Sequence, residues 1–153
     1  MKNTIILLTM LLFSGIGFAQ ESNNGKQLWA KSFLNEKAPE LTVETWISKK
    51  PDTEGKFVII DFWATWCGPC RKAIPELNEI AKEFSKDVVV IGISDEPVEK
   101  IKAMKEPVIE YYYGVDTKKT MDKILEIKGI PHVIIIDPKG IVRWEGFPLL
   151  ENS

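Results

Sequence analysis

Cys67 and Cys70 are the only thiols in the chain, and Gly68 and Pro69 separate them. At the start of a helix, that spacing puts the two sulfurs within bridging reach, so the pair can switch between dithiol and disulfide. Cys67 then falls where unpaired backbone N–H groups and the positive end of the helix dipole meet. Both favour a thiolate, which predicts a Cys67 pKa below that of a free thiol. Cys70, one turn further in, is predicted to be more buried and less acidic. Other chemistries stand beside this one. Zinc needs donors beyond the two thiols, and His132 is the only histidine, so a carboxylate or a second chain would have to complete the site. A permanent structural disulfide here would close a tiny ring and add little stability. A soft-metal carrier, holding Cu(I) with Cys67, Cys70 and His132, is the main alternative to redox catalysis. A peroxidase needs a lone activated cysteine in a different setting, and no such motif is found. Redox catalysis is the favoured reading, with no metal and no other cofactor.

A strand and a helix must flank such a pair. Phe57–Trp63 (FVIIDFW) is a short apolar run of the kind that forms a strand buried on both faces. After the cysteines, Ile74, Leu77, Ile80, Ala81 and Phe84 fall at helical spacing, giving one apolar stripe. Pro69 suits a first turn, and Pro75 is predicted to kink the helix. Within the strand, period-two alternation puts Asp61 on the face of Phe57, Ile59 and Trp63. Burial there raises the pKa of an acid, which suits proton exchange with Cys70. Further along, 87–93 and 133–136 read as strands, 97–105 and 117–128 as helices, and 41–47 and 108–115 as weaker strands. Asp137-Pro138-Lys139-Gly140 is a type I turn leading to a hairpin partner over 141–144. Trp29, Trp46, Trp63 and Trp144 are assigned to the core, and Tyr111–Tyr113 to a half-buried strand. The pattern is α/β, with a mixed central sheet flanked by helices and a terminal β-hairpin.

The chain has 153 residues, 20 basic against 22 acidic side chains and a formal net charge of −2, which offers no basic footprint for nucleic acid. Its length suits one domain. Residues 1–19 have the pattern of a signal peptide: Lys2, an apolar run from Ile5 to Phe13, then Gly17 and Ala19 before the cut. The run to Ala19 is shorter than the roughly 20 residues that span a bilayer. Residues 20–37 read as an extension containing a short helix, and 38–153 as the domain.

The stretch DFWATWCGPC (Asp61–Cys70), with Gly129-Ile130-Pro131 before VIIIDPKGIV, resembles the thioredoxin superfamily. The leader, the ISDEP stretch (Ile93–Pro97) and the longer segment after it resemble its extracytoplasmic TlpA/ResA-like branch. The resemblance implies a thioredoxin-like fold and a thiol–disulfide oxidoreductase, exported to the periplasm or beyond the cytoplasm. It implies that Cys67 attacks, Cys70 resolves, and Asp61 is the buried acid behind them. Pro131 would follow a cis peptide, and Trp66, Gly68, Pro69, Ile130 and Pro131 would meet substrate. The implied partners are protein or peptide disulfides and a thiol relay at the membrane that returns electrons to a monomeric enzyme.

Several positions depart from the family. No lysine faces Asp61 from Val88–Ile93, where many thioredoxins have one on the next strand. Ala73 stands where some relatives carry a second acid. His132 follows Pro131 where threonine is usual, and is assigned as a half-buried polar residue. Only seven residues follow Gly146, so the helix that usually closes this fold is missing from the pattern. One face of Val133–Ile136 is therefore expected to be poorly covered, unless Leu28, Trp29 and Phe33 or a partner lie over it.

Overall fold

The computed structural model describes residues 28–148. The leader, its cut site and residues 149–153 lie outside them.

Six strands form one mixed sheet in the order β1-β4-β3-β2-β5-β6. They are β1 (Thr45–Trp46), β2 (Phe57–Phe62), β3 (Val88–Ser94), β4 (Tyr112–Val115), β5 (His132–Ile136) and β6 (Val142–Gly146). β2, β3 and β4 run parallel, while β5 is antiparallel to β2, β6 to β5, and β1 to β4. Val, Ile and Phe dominate β2 and β3 because helices or loops cover both of their faces. The helices are α1 (Gly68–Glu83), α2 (Val98–Ala103) and α3 (Thr120–Leu125).

The sheet divides the core in two. On one face Ile59, Trp63, Val90 and Val133 pack with Cys67, Cys70, Ile74 and Leu77 of α1 and Ile101 of α2. On the other, Ile60, Phe62, Ile91 and Ile134 pack with Met121 and Leu125 of α3.

Several elements are shorter than their patterns predict. Residues 117–128 yield a helix only over Thr120–Leu125, because Lys119 and Glu126 take left-handed backbone conformations at its two ends. The Asp116 carboxylate accepts from Met121 N–H at 2.8 Å and fixes where that helix begins. The strand predicted over 41–47 shrinks to Thr45–Trp46, and that over 108–115 begins at Tyr112. β1 lies so close to β4 that a Cβ on Gly114 would stand 2.7 Å from Thr45 O, so a larger residue is excluded there. α1 continues through Pro75, which costs it the bond to the Arg71 carbonyl but does not end it. Phe84 caps α1 and is largely exposed rather than part of the buried stripe. The hairpin turn forms as predicted, with Gly140 N–H donating to the Asp137 carbonyl at 2.8 Å.

Residues 28–37 contain no helix. They form a strap along β6, with Asn35 N–H donating to Val142 O and Val142 N–H to Glu36 O. Phe33 packs on the α3 face. The strap therefore covers the face opposite to the one in question. On the α1 side, Ala73, Leu77, Ile80, Val133, Ile135 and Trp144 line an apolar groove of about 270 Å³. Trp29, assigned to the core, is 46% exposed and lies against Gly129.

Candidate active site

Strand β2 ends at Phe62, and the chain turns through Trp63–Trp66 into α1. Cys67 is the N-cap, with extended backbone, and its sulfur accepts from Cys70 N–H at 3.2 Å. That bond and the helix dipole are the two features that stabilise a thiolate at this atom. Cys67 and Cys70 form a disulfide, with Cα atoms 5.2 Å apart. Cys67 is 4% exposed and Cys70 fully buried. Gly68 and Pro69 form the exposed first turn of α1 beside them, and a Cβ on Gly68 would meet nothing within 4 Å.

Asp61 is fully buried on the same face of the sheet as the disulfide. Neither carboxyl oxygen has a hydrogen-bond partner among the described residues. Burial pushes its pKa from 3.8 up to about 7, and the nearby Tyr111 hydroxyl acts against that rise. A buried acid held near neutrality can take up and release a proton at working pH.

The Ile130–Pro131 peptide is cis, and Pro131 is buried. A second cis peptide, Glu106–Pro107, was not foreseen, and the Glu106 carbonyl accepts from Arg71 Nη2 at 2.7 Å. Trp66 is 69% exposed. Together with Ile130, Ile93, Ile127, Asp95 and Asp122 it lines a cleft of about 160 Å³. Lys119 bridges to Asp95 at 2.6 Å on its wall.

His132 does not join this site. It pairs in register with Phe62, on the opposite face from Asp61, and stacks on that ring at 6.0 Å. It is fully buried rather than half-buried, and neither ring nitrogen has a partner among the described residues. Burial lowers its pKa, with the Glu145 carboxylate opposing. His132, offered as a third donor beside Cys67 and Cys70 for a metal carrier, thus lies on the other face of the sheet. Among the described residues no cluster of three His, Cys, Asp or Glu side chains is placed to hold a metal.

Two residues not assigned to the site bear on it. Glu96, on the loop after β3, accepts from Thr65 N–H at 2.5 Å and Thr65 Oγ1 at 2.9 Å. Lys100 pairs with it at 2.5 Å. Burial opposes its ionisation, but the Lys100 and Thr65 hydrogen bonds prevail and hold its carboxyl below the usual range. Glu96 thereby pins the turn that leads to Cys67. Tyr111, buried just before β4, reaches the neighbourhood of Asp61. Neither is legible locally, since Thr65 and Glu96 are 31 residues apart and Tyr111 is further still from Asp61.

The AhpC/TSA family matches residues 34–145, and the chain belongs to that family. The thioredoxin-like protein YneN of Bacillus subtilis is 27% identical over 115 residues, covering 71% of this chain and 68% of that protein. The thiol:disulfide interchange protein DsbE of Pseudomonas aeruginosa is 29% identical over 154 residues, covering 94% and 83%. The thioredoxin domain of a thiol-disulfide oxidoreductase from Bacteroides vulgatus superposes with a TM-score of 0.64 at 28% identity, covering 74% of this chain and 88% of that one. The fold is thioredoxin-like.

Proposed function

With that membership as the premise, we propose that this chain is a thiol–disulfide oxidoreductase that reduces protein disulfides through Cys67 and Cys70. The observation that carries the reading is the disulfide at the N-terminus of α1, with a near-neutral buried acid on the same face. Cys67 Sγ attacks a substrate disulfide and forms a mixed disulfide, releasing one substrate thiolate. Asp61 takes the proton from Cys70, whose thiolate then attacks Cys67 Sγ. The second substrate thiolate leaves and the Cys67–Cys70 disulfide closes. Re-reduction by an external dithiol completes the cycle. Trp66 and Ile130 line the cleft where an extended substrate backbone would lie, with Pro131 next in the chain, and Gly68 and Pro69 form the exposed turn beside the disulfide.

The reducing direction is supported by Gly68-Pro69, the dipeptide of thioredoxin itself. Export is supported by the leader pattern of residues 1–19, where no structure is described. Among the described residues no helix is long and apolar enough to cross a membrane. A membrane thiol relay as electron donor, and action as a monomer, complete the proposal.

The redox potential of the pair, measured against glutathione or dithiothreitol buffers, tests the direction. A reductase lies near the ~−270 mV of thioredoxin, whereas a value near about −120 mV marks an oxidant. Metal analysis of the reduced protein tests the carrier reading. Stoichiometric copper bound through both thiols would replace the proposal.

A further inference from the structure

Four buried polar atoms on the disulfide's side of the sheet stand unpartnered: both Asp61 carboxyl oxygens, Trp63 Nε1 and the Tyr111 hydroxyl. None has a hydrogen-bond partner among the described residues, although an ionised Asp61 can only accept and the phenol and indole N–H can donate. The backbone explains how Trp63 and Tyr111 come to the register partner of Asp61. Asp61 pairs in register with Gly92 of β3. Gly92 has no side chain, and the space over it is already filled. A Cβ there would stand 3.1 Å from Tyr111 Cε2 and 3.1 Å from Trp63 Nε1. The position facing Asp61 across the sheet is thus vacated by β3 and taken by a phenol that enters from the segment before β4.

We propose that Tyr111 is a positioning residue for the resolving step, its hydroxyl donating to the Asp61 carboxylate when that group is ionised. The inference rests on the function proposed above and adds a residue to it. A buried carboxylate with no donor cannot hold a charge, because desolvation costs several kcal/mol. Among the described residues, the donor that reaches this carboxyl is the Tyr111 hydroxyl. In the disulfide form the hydroxyl is near enough to Asp61 to favour its ionisation, although the pair stands outside hydrogen-bond geometry. Ionisation of Asp61 supplies the attraction that closes the bond.

The protonic balance of the step then has a complete cast. Asp61, ionised and held by Tyr111, accepts the proton of Cys70. The Cys70 thiolate attacks Cys67 Sγ, the bond between Cys67 and the substrate sulfur breaks, and the substrate leaves as a thiolate that is protonated from solvent. Tyr111 keeps its own proton throughout, since burial and the Asp61 charge push its pKa up. On the face of the sheet that carries Asp61 lie the two cysteines from α1, Trp63 from the end of its own strand and Tyr111; β3 and β5 present Val90, Gly92 and Val133 there, which carry no charge. Tyr111 is the titratable side chain that opposes the upward shift of Asp61.

Tyr111→Phe removes the hydroxyl and leaves the ring over Gly92. The test follows the Asp61 carboxyl carbon by NMR through a pH titration of the oxidised protein. The wild-type midpoint should lie near 7, and that of Tyr111→Phe about one pH unit higher. The acidic limb of the resolving rate should move by the same amount. In the wild type, the Tyr111 Cζ signal should shift with the Asp61 midpoint, a readout that needs no variant. An unmoved midpoint in the folded variant, or a Tyr111 signal indifferent to Asp61, overturns the proposal. The titration is independent of turnover. A wild type that reduces no disulfide would count against the proposed function, while the carboxyl midpoint would still report on Tyr111.

Discussion

Asp61 and Phe62 are neighbours in β2, and their register partners Val133 and His132 are neighbours in β5. Alternation along the strands sends Asp61 to one face of the sheet and His132 to the other. Each is a fully buried ionisable side chain with no hydrogen-bond partner among the described residues. Burial disfavours charge on both, but with opposite results. It raises the acid to about 7, where it can exchange protons, and lowers the base, which stays neutral. On the face of Asp61 lie the two cysteines and one hydroxyl that reaches it, that of Tyr111. Around His132 stand Phe62 and the aliphatic layer of α3. Equal burial therefore makes one group a candidate reagent and the other a filler of space.

The largest effect should come from the cysteines themselves. Cys67→Ser is expected to abolish disulfide reduction. Cys70→Ser should instead accumulate a mixed disulfide with substrate, visible by mass spectrometry of quenched reactions. Accumulation in the Cys67 variant rather than the Cys70 variant would reverse the assignment.

Asp61→Asn should slow the resolving step roughly 100-fold, within the usual reach of general-base catalysis, and initial attack far less. His132→Leu, across the sheet, should leave both steps within about twofold. Stopped-flow tryptophan fluorescence separates the two. Similar slowing in the two variants would erase the distinction between the faces.

Stability sharpens the same contrast through its sign. The folded pKa of Asp61 is raised, so its contribution is most favourable below about pH 4 and is lost as pH rises towards 7. The shift corresponds to about 4 kcal/mol. Asp61→Asn should therefore stabilise the protein much more at pH 8 than at pH 4. His132 has a lowered pKa, so its cost grows as pH falls below 6.5. His132→Leu should give its larger gain at pH 5. Urea midpoints across this range, with the disulfide intact, read both slopes, and slopes of the same sign would contradict the account.

The smallest effect concerns the turn before Cys67. Glu96→Ala removes the acceptor of two Thr65 hydrogen bonds and should cost about 1–3 kcal/mol, seen as a lower urea midpoint. Glu96→Gln keeps an acceptor and should recover part of that loss.

What the sequence made legible follows from locality. The Cys67–Cys70 pair, its place at a helix start and the burial of Asp61 depend on near neighbours and strand periodicity. The hairpin turn also follows from its four residues. Helix α3 was overestimated because Met121, Ile124, Leu125 and Ile127 keep helical spacing, while the left-handed backbone at Lys119 and Glu126 leaves no mark in that pattern. The missing partner of Asp61 was sought on β3, where Gly92 offers nothing. Tyr111 supplies a hydroxyl from another segment, a placement that only the sheet order creates. His132 is adjacent to Pro131 in sequence but on the wrong face for the disulfide, which proximity along the chain cannot show.

The central claim is that the two cysteines differ, with Cys67 the nucleophile at the helix cap and Cys70 the partner of Asp61 one turn further in. The most direct measurement is the alkylation rate of each thiol in the reduced protein as a function of pH, resolved by peptide mass spectrometry. The account predicts that Cys67 reacts first, with a midpoint below the ~8.5 of a free thiol, and that Cys70 follows only at higher pH. Faster labelling of Cys70 at mildly acidic pH would contradict it.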